Sequence, residues 1–138
     1  MPSIKAQHQK SRRIIAKEVA VPPHMSFCFK YLEESHDDFA LCDCSEGWLR
    51  NLIERLKAYS GKTVDEIINS RSKSIRCHSH DFSTLGREPF SCYRDPQLRQ
   101  IPPQQLSLGM NSGRIHGFFL HEKFFIVWLD HSHNLYGG

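Results

Sequence analysis

Arg114, His116, His131, His133 and Tyr136 crowd into the last quarter of the chain, and their types suit one kind of chemistry. Histidine titrates near neutrality, so His131 or His133 can take or give a proton. Arg114 offers a planar fork to phosphate oxygens, and Tyr136 can stack on a base or donate a proton. Cleavage of RNA by attack of its own 2′-hydroxyl needs such groups: a base, a positive charge facing the phosphorane, and an acid for the leaving oxygen. The same residues have a plainer reading, in which the histidine-rich end is a solvated tail and the tyrosine packs against the body of the protein.

Chemistry of this kind needs a rigid base, and the surrounding sequence supplies one. QLSLGM (105–110), GRIHGFFLH (113–121) and FFIVWLD (124–130) have the run lengths of an antiparallel meander, broken by an Asn-Ser-Gly turn and the link Glu122-Lys123. Alternation places Arg114, His116 and Phe118 on one side of the middle strand. The near-continuous apolar run of the last strand predicts a central, covered position. HSHNLY (131–136) lies just beyond it.

Upstream, MSFCFKYL (25–32) alternates and reads as a first strand, and FALC (39–42) as a short extended piece. Ser45 opens a helix in which Trp48, Leu49, Leu52, Ile53 and Leu56 recur at helical spacing, and Gly61 closes it. Thr63 and Glu66 match a capping box, so a second short helix runs to about Ser70. The expected fold is α+β, an antiparallel sheet with a helical hairpin packed on one face, in the order β-α-α-β-β-β. Residues 24–138 form one domain, preceded by a basic arm or short helix over 1–23.

Between residues 71 and 104 the periodicity fails, apart from a helical turn in DPQLRQI (95–101), and a long loop insertion is expected. Arg71, Lys73, Arg76, Arg87, Arg94 and Arg99 are interleaved there with Phe82, Phe90 and Tyr93, near His78 and His80. That mixture suits phosphates and unstacked bases, and the six basic residues are the candidate RNA contacts. Ordinary surface charge on a solvated loop is the alternative.

Cys42-x-Cys44, Cys77-His78-x-His80, Cys92 and His131-x-His133 are soft ligands in number, but their spacing is irregular. A structural zinc therefore stands as the alternative to a chain without metal or cofactor. Cys28 and Cys42 read as core residues, and Cys77 and Cys92 as candidates for the nucleophile of a Cys/His pair, without an orienting signature. Five cysteines, an odd number, argue for reduced thiols.

The chain has 138 residues and a formal charge of +3. Residues 1–18 hold five basic and one acidic side chain (+4), leaving thirteen basic against fourteen acidic (−1) beyond them. A nucleic acid would thus be met by a local patch and the arm rather than by an overall field. No apolar run approaches the roughly 18 residues that span a bilayer. The cytoplasm is the expected location, with no membrane partner.

The string LSLGMNSGRIHGFFLHEKFFIVWLDHSHNLY resembles the C-terminal half of the RelE/ParE-type toxins of bacterial toxin–antitoxin pairs. There a strand leads through a turn into an arginine strand, then a hydrophobic strand, then a basic or histidine-bearing tail ending in tyrosine. The motif covers 105–136, and the element order extends the resemblance to 25–136. It implies a metal-independent endoribonuclease acting on mRNA, at the ribosome, held in check by a small antitoxin protein. It also implies that Arg114 contacts the scissile phosphate, that Tyr136 lies near the cleaved nucleotide, and that His131 and His133 stand where the family places histidine or arginine. Two features depart from the family: QLSLGM lacks the lysines that RelE proteins present on that strand, and the 71–104 connection is longer. The rival expectation is a binding module, without catalysis, for nucleic acid or an acidic protein.

Overall fold

The computed structural model describes residues 23–72, 75–109 and 112–132, with the backbone alone at 83 and 84. The basic arm expected over 1–23 lies outside them except for its last residue. Five strands form one sheet: β1 (Ser26–Cys28), β2 (Cys77–Ser79), β3 (Gln104–Ser107), β4 (Arg114–Leu120) and β5 (Lys123–Asp130), in the spatial order β1-β5-β4-β3-β2. The meander β3-β4-β5 is antiparallel as expected, and β5 is interior. The sheet is nevertheless mixed, because β1 joins β5 in parallel after the intervening chain has crossed over the sheet. The turn between β4 and β5 falls one residue earlier than the sequence suggests, at His121-Glu122, where His121 takes a positive φ of 56°.

Helix α1 (Glu46–Ser60) begins where the Ser45 hydroxyl accepts from the Trp48 amide, at 3.1 Å, and ends at Gly61. Helix α2 (Val64–Ile68) begins with the expected capping box of Thr63 and Glu66 and stops two residues earlier than expected. Leu52, Leu56, Tyr59 and Ile67 carry the hairpin onto one face of the sheet, against Leu106, Leu108, Ile115, Phe124, Ile126 and Leu129. Ile53, expected on the apolar stripe, is 55% exposed.

The other face is covered by the segment that looked structureless. Residues 71–104 contribute strand β2 to the sheet edge, helix α3 (Phe82–Leu85), a 3-10 turn over Ser91–Arg94 and helix α4 (Pro96–Arg99). Their apolar residues follow no period because they enter the core singly: Phe90 and Tyr93 are buried among Phe39, Phe118, Val127 and Trp128. Residues 39–42, expected to be extended, run instead into a 3-10 turn over Leu41–Asp43. Glu33 clasps this layer to the sheet, since its carboxylate accepts from the Trp128 indole N–H and from the hydroxyl and amide of Ser91.

A bulge breaks the β4–β5 register between His116 and Gly117: His116 pairs with Trp128 but Gly117 pairs with Ile126, leaving Val127 as the extra residue. Val127 and Trp128 consequently both face the aromatic layer, and Leu129 returns to the hairpin side. Gly117 is required there, because a Cβ would run into the Phe125 carbonyl oxygen and the Phe124 ring. Gly117→Ala is expected to cost about 3 kcal/mol of unfolding free energy in urea denaturation. Gly47→Ala, in helix α1 with open space around it, is expected to add about 0.5–1 kcal/mol.

Candidate functional site

The sheet register gathers the polar groups into two rows on the face opposite the hairpin. Ser107 pairs with Arg114 and Arg114 with Asp130, while the Ser107 amide donates to the Arg76 carbonyl at 3.0 Å. Arg76, just ahead of β2, thus forms one row with Ser107, Arg114 and Asp130 on three strands. Two residues along, His78, Gln105, His116 and Trp128 form the next. Residues opposite one another share a face, and so do residues two apart.

Asp130 and His116 are both wholly buried, with His116 Nε2 and Asp130 Oδ2 2.9 Å apart. The His116 ring meets the His80 ring edge-on at 5.4 Å and lies 6.0 Å from Phe39 and 6.1 Å from Trp128. Both ring nitrogens of His80 are buried with no hydrogen-bond partner among the described residues. Burial first, and then His116, push the His80 pKa down to about 4.

Arg114 is half-buried, and its Nη1 donates to the carbonyls of Gly113 at 2.7 Å and Gly109 at 3.3 Å. Burial and the neighbouring Arg76 lower its pKa, with Tyr59 and Asp130 acting the other way. His78 is exposed, yet desolvation, Arg76 and Arg114 together hold its pKa below the ordinary histidine range. The arrangement is a cationic sheet end bordered by an imidazole that stays neutral at pH 7, suited to an anion and to proton transfer beside it.

The residues predicted from sequence divide accordingly. Arg114 and His116 lie in adjacent rows, and Arg76 joins them. His131 follows Asp130, with its ring edge-on to Trp48 at 6.2 Å and its Nδ1 2.9 Å from the Ser132 hydroxyl. Lys73, His133 and Tyr136 lie outside the described residues. Arg71 is exposed. Arg87 lies 2.6 Å from the Asp38 carboxylate and over the Phe39 ring. Arg94 and Arg99 line a separate depression of about 390 Å³ with Glu88 and Tyr93. Sequence reasoning overlooked Asp130, although an acid closing an otherwise apolar strand is a legible signal.

Cys42 is exposed and Cys28 half-buried, so neither is the core residue expected. Burial pushes the thiols of Cys77 and Cys92 up to about 11, the opposite of an activated nucleophile. Among the described residues no three His, Cys, Asp or Glu converge so as to hold a metal ion. No helix among them is long and apolar enough to cross a membrane. In comparisons with known proteins, the chain matches no family model, no curated protein and no solved structure.

Two outcomes follow for stability. Asp130→Ala leaves His116 buried without its carboxylate and is expected to cost about 3–5 kcal/mol in urea unfolding. Between the ordinary histidine value of 6.5 and about 4, the unfolded chain takes up a proton that folded His80 refuses. The His80 contribution is therefore complete above pH 6.5 and declines as pH falls towards 4. His80→Phe is expected to flatten that part of the curve, read as urea midpoints across the window.

Proposed function

We propose that this chain is a RelE-like toxin of a toxin–antitoxin pair, an endoribonuclease that cleaves mRNA at the ribosome and is silenced by a small antitoxin protein. The observation that carries the reading is the row in which Arg114 and Arg76 share one end of the sheet with His78 in the next row. Guanidinium groups at that end match the charge that develops on a phosphorane. The neutral imidazole of His78, exposed beside them, is fit to accept the 2′-hydroxyl proton at neutral pH. The path of the chain supports the same reading: a first strand, a helical hairpin on one face, then the meander, with the first strand set beside the last.

The complete burial of His116 favours a second reading, in which the rows bind RNA without cutting it. In that case His116 and Asp130 are a structural pair beneath a phosphate-binding surface, and the protein is a binding module.

The two readings separate on incubation of the purified chain with mRNA-programmed ribosomes and with free RNA, followed by mapping of transcript ends. New ends from the wild type, reduced about 10²–10³-fold by Arg114→Ala, are expected for the nuclease. Retarded but intact RNA, with binding that falls steeply as salt rises, would instead establish the binding module.

A further inference from the structure

The 71–104 segment adds an edge strand, and with it a basic residue at a position defined by the sheet. Arg76 is anchored through its main chain from two sides. Its carbonyl accepts from the Ser107 amide, and the Tyr59 hydroxyl bonds its amide at 3.2 Å and its carbonyl at 3.3 Å. Tyr59 is itself buried and holds the Ser107 carbonyl at 2.5 Å, so the hairpin core sets the end of β3 and the approach to β2 together.

Arg76 and Arg114 flank Ser107 on the same face, two interstrand spacings apart, roughly 10 Å between their main chains. The residue between them is small. The Arg76 Nε is buried with no hydrogen-bond partner among the described residues, and the charge of Arg76 acts on both Arg114 and His78. The acid that acts on Arg114 is Asp130, at the far end of the row and bonded to His116. Two cationic side chains thus leave one face of the sheet on either side of Ser107, whose hydroxyl accepts from the Gly109 amide at 3.3 Å, and their mutual repulsion is relieved by an anion between them. The β3 strand, QQLS, has no basic side chain of its own.

We infer that Arg76 and Arg114 are the two arms of a clamp for one phosphate group of an RNA strand, seated over Ser107, with Arg76 supplying from the residue just ahead of the edge strand the cation that β3 lacks. The inference rests on the RNA reading above for the source of the phosphate; the clamp itself is a statement about the two arginines.

The test is binding of inorganic phosphate and of a pentauridine oligonucleotide to the full chain, by calorimetry and fluorescence anisotropy. The variants are Arg76→Gln, Arg114→Gln, the double change, Arg76→Lys and, as a charge-matched control on the exposed surface of α1, Lys57→Gln. Arg76→Gln is expected to weaken the oligonucleotide about tenfold and to lower the salt slope by about 0.7, as loss of one phosphate contact on a single strand should. The double variant is expected to lose less than the product of the single losses, because both arms hold one group. Arg76→Lys keeps the charge without the fork and is expected to lose a few-fold, with an unchanged melting curve, which separates recognition from folding. Wild-type affinity in Arg76→Gln beside a loss in Arg114→Gln overturns the clamp and leaves the RNA reading standing. Phosphate bound through both arginines with no oligonucleotide binding supports the clamp and removes the RNA reading. Binding of neither probe overturns both.

Discussion

One extra residue in β5 sets the arrangement of the whole sheet. Had the β4–β5 register run on without interruption, the pleat would have turned Trp128 to the hairpin side, Leu129 to the aromatic side and Asp130 away from His116. The bulge at Val127 reverses all three. Leu129 enters the core beneath the hairpin, Trp128 stacks on Phe39 at 4.8 Å, and Asp130 comes opposite Arg114 and within bonding distance of His116. A single backbone irregularity thereby fills two cores and builds the polar rows, and it depends on the missing side chain of Gly117.

The second layer follows from that reversal. A sheet with Trp128, Phe118 and Val127 on its outer face must cover them, and the 71–104 segment does so with single aromatic residues rather than a regular element. Few repeated main-chain contacts are available to such a layer, so side chains fasten it: Glu33 to Trp128 and Ser91, Arg87 to Asp38, and the Tyr93 hydroxyl to the Ile101 carbonyl at 2.6 Å. The layer also encloses His80 and His116, which explains why one histidine is held neutral and the other is tied to a carboxylate. Burial of an imidazole pair is tolerated because neighbouring rings surround it and Asp130 compensates one member.

Towards the sheet end the balance of burial and charge reverses. Arg76, Arg114 and His78 stand on one face, where the two arginine charges act on His78 and Arg76 acts on Arg114, and Asp130, turned towards His116, offsets part of the effect on Arg114. The register of the sheet fixes the main-chain separation of Arg76 and Arg114 without any loop ordering. Elsewhere in the segment Arg87 pairs with Asp38, and Arg94 and Arg99 line a distinct depression.

Local chemistry made the hairpin and the meander legible in the sequence. Ser45, Gly61 and the Thr63–Glu66 box act within a few residues of themselves, and the β3–β5 strands carry enough apolar residues to be recognised without their partners. Part of the site was legible for the same reason, since alternation alone relates Arg114 to His116. The tertiary structure decided the rest. Pairing of β1 with β5, the strand at 77–79 and the bulge at Val127 depend on residues far apart in the chain, and no periodicity announces them. Likewise Arg76 and Arg87 look equivalent as basic residues in one aperiodic stretch. Only the sheet register brings the first beside Arg114, and only the packing of Phe39 and Asp38 claims the second, because a side chain's role is set by the charges and surfaces that folding brings to it.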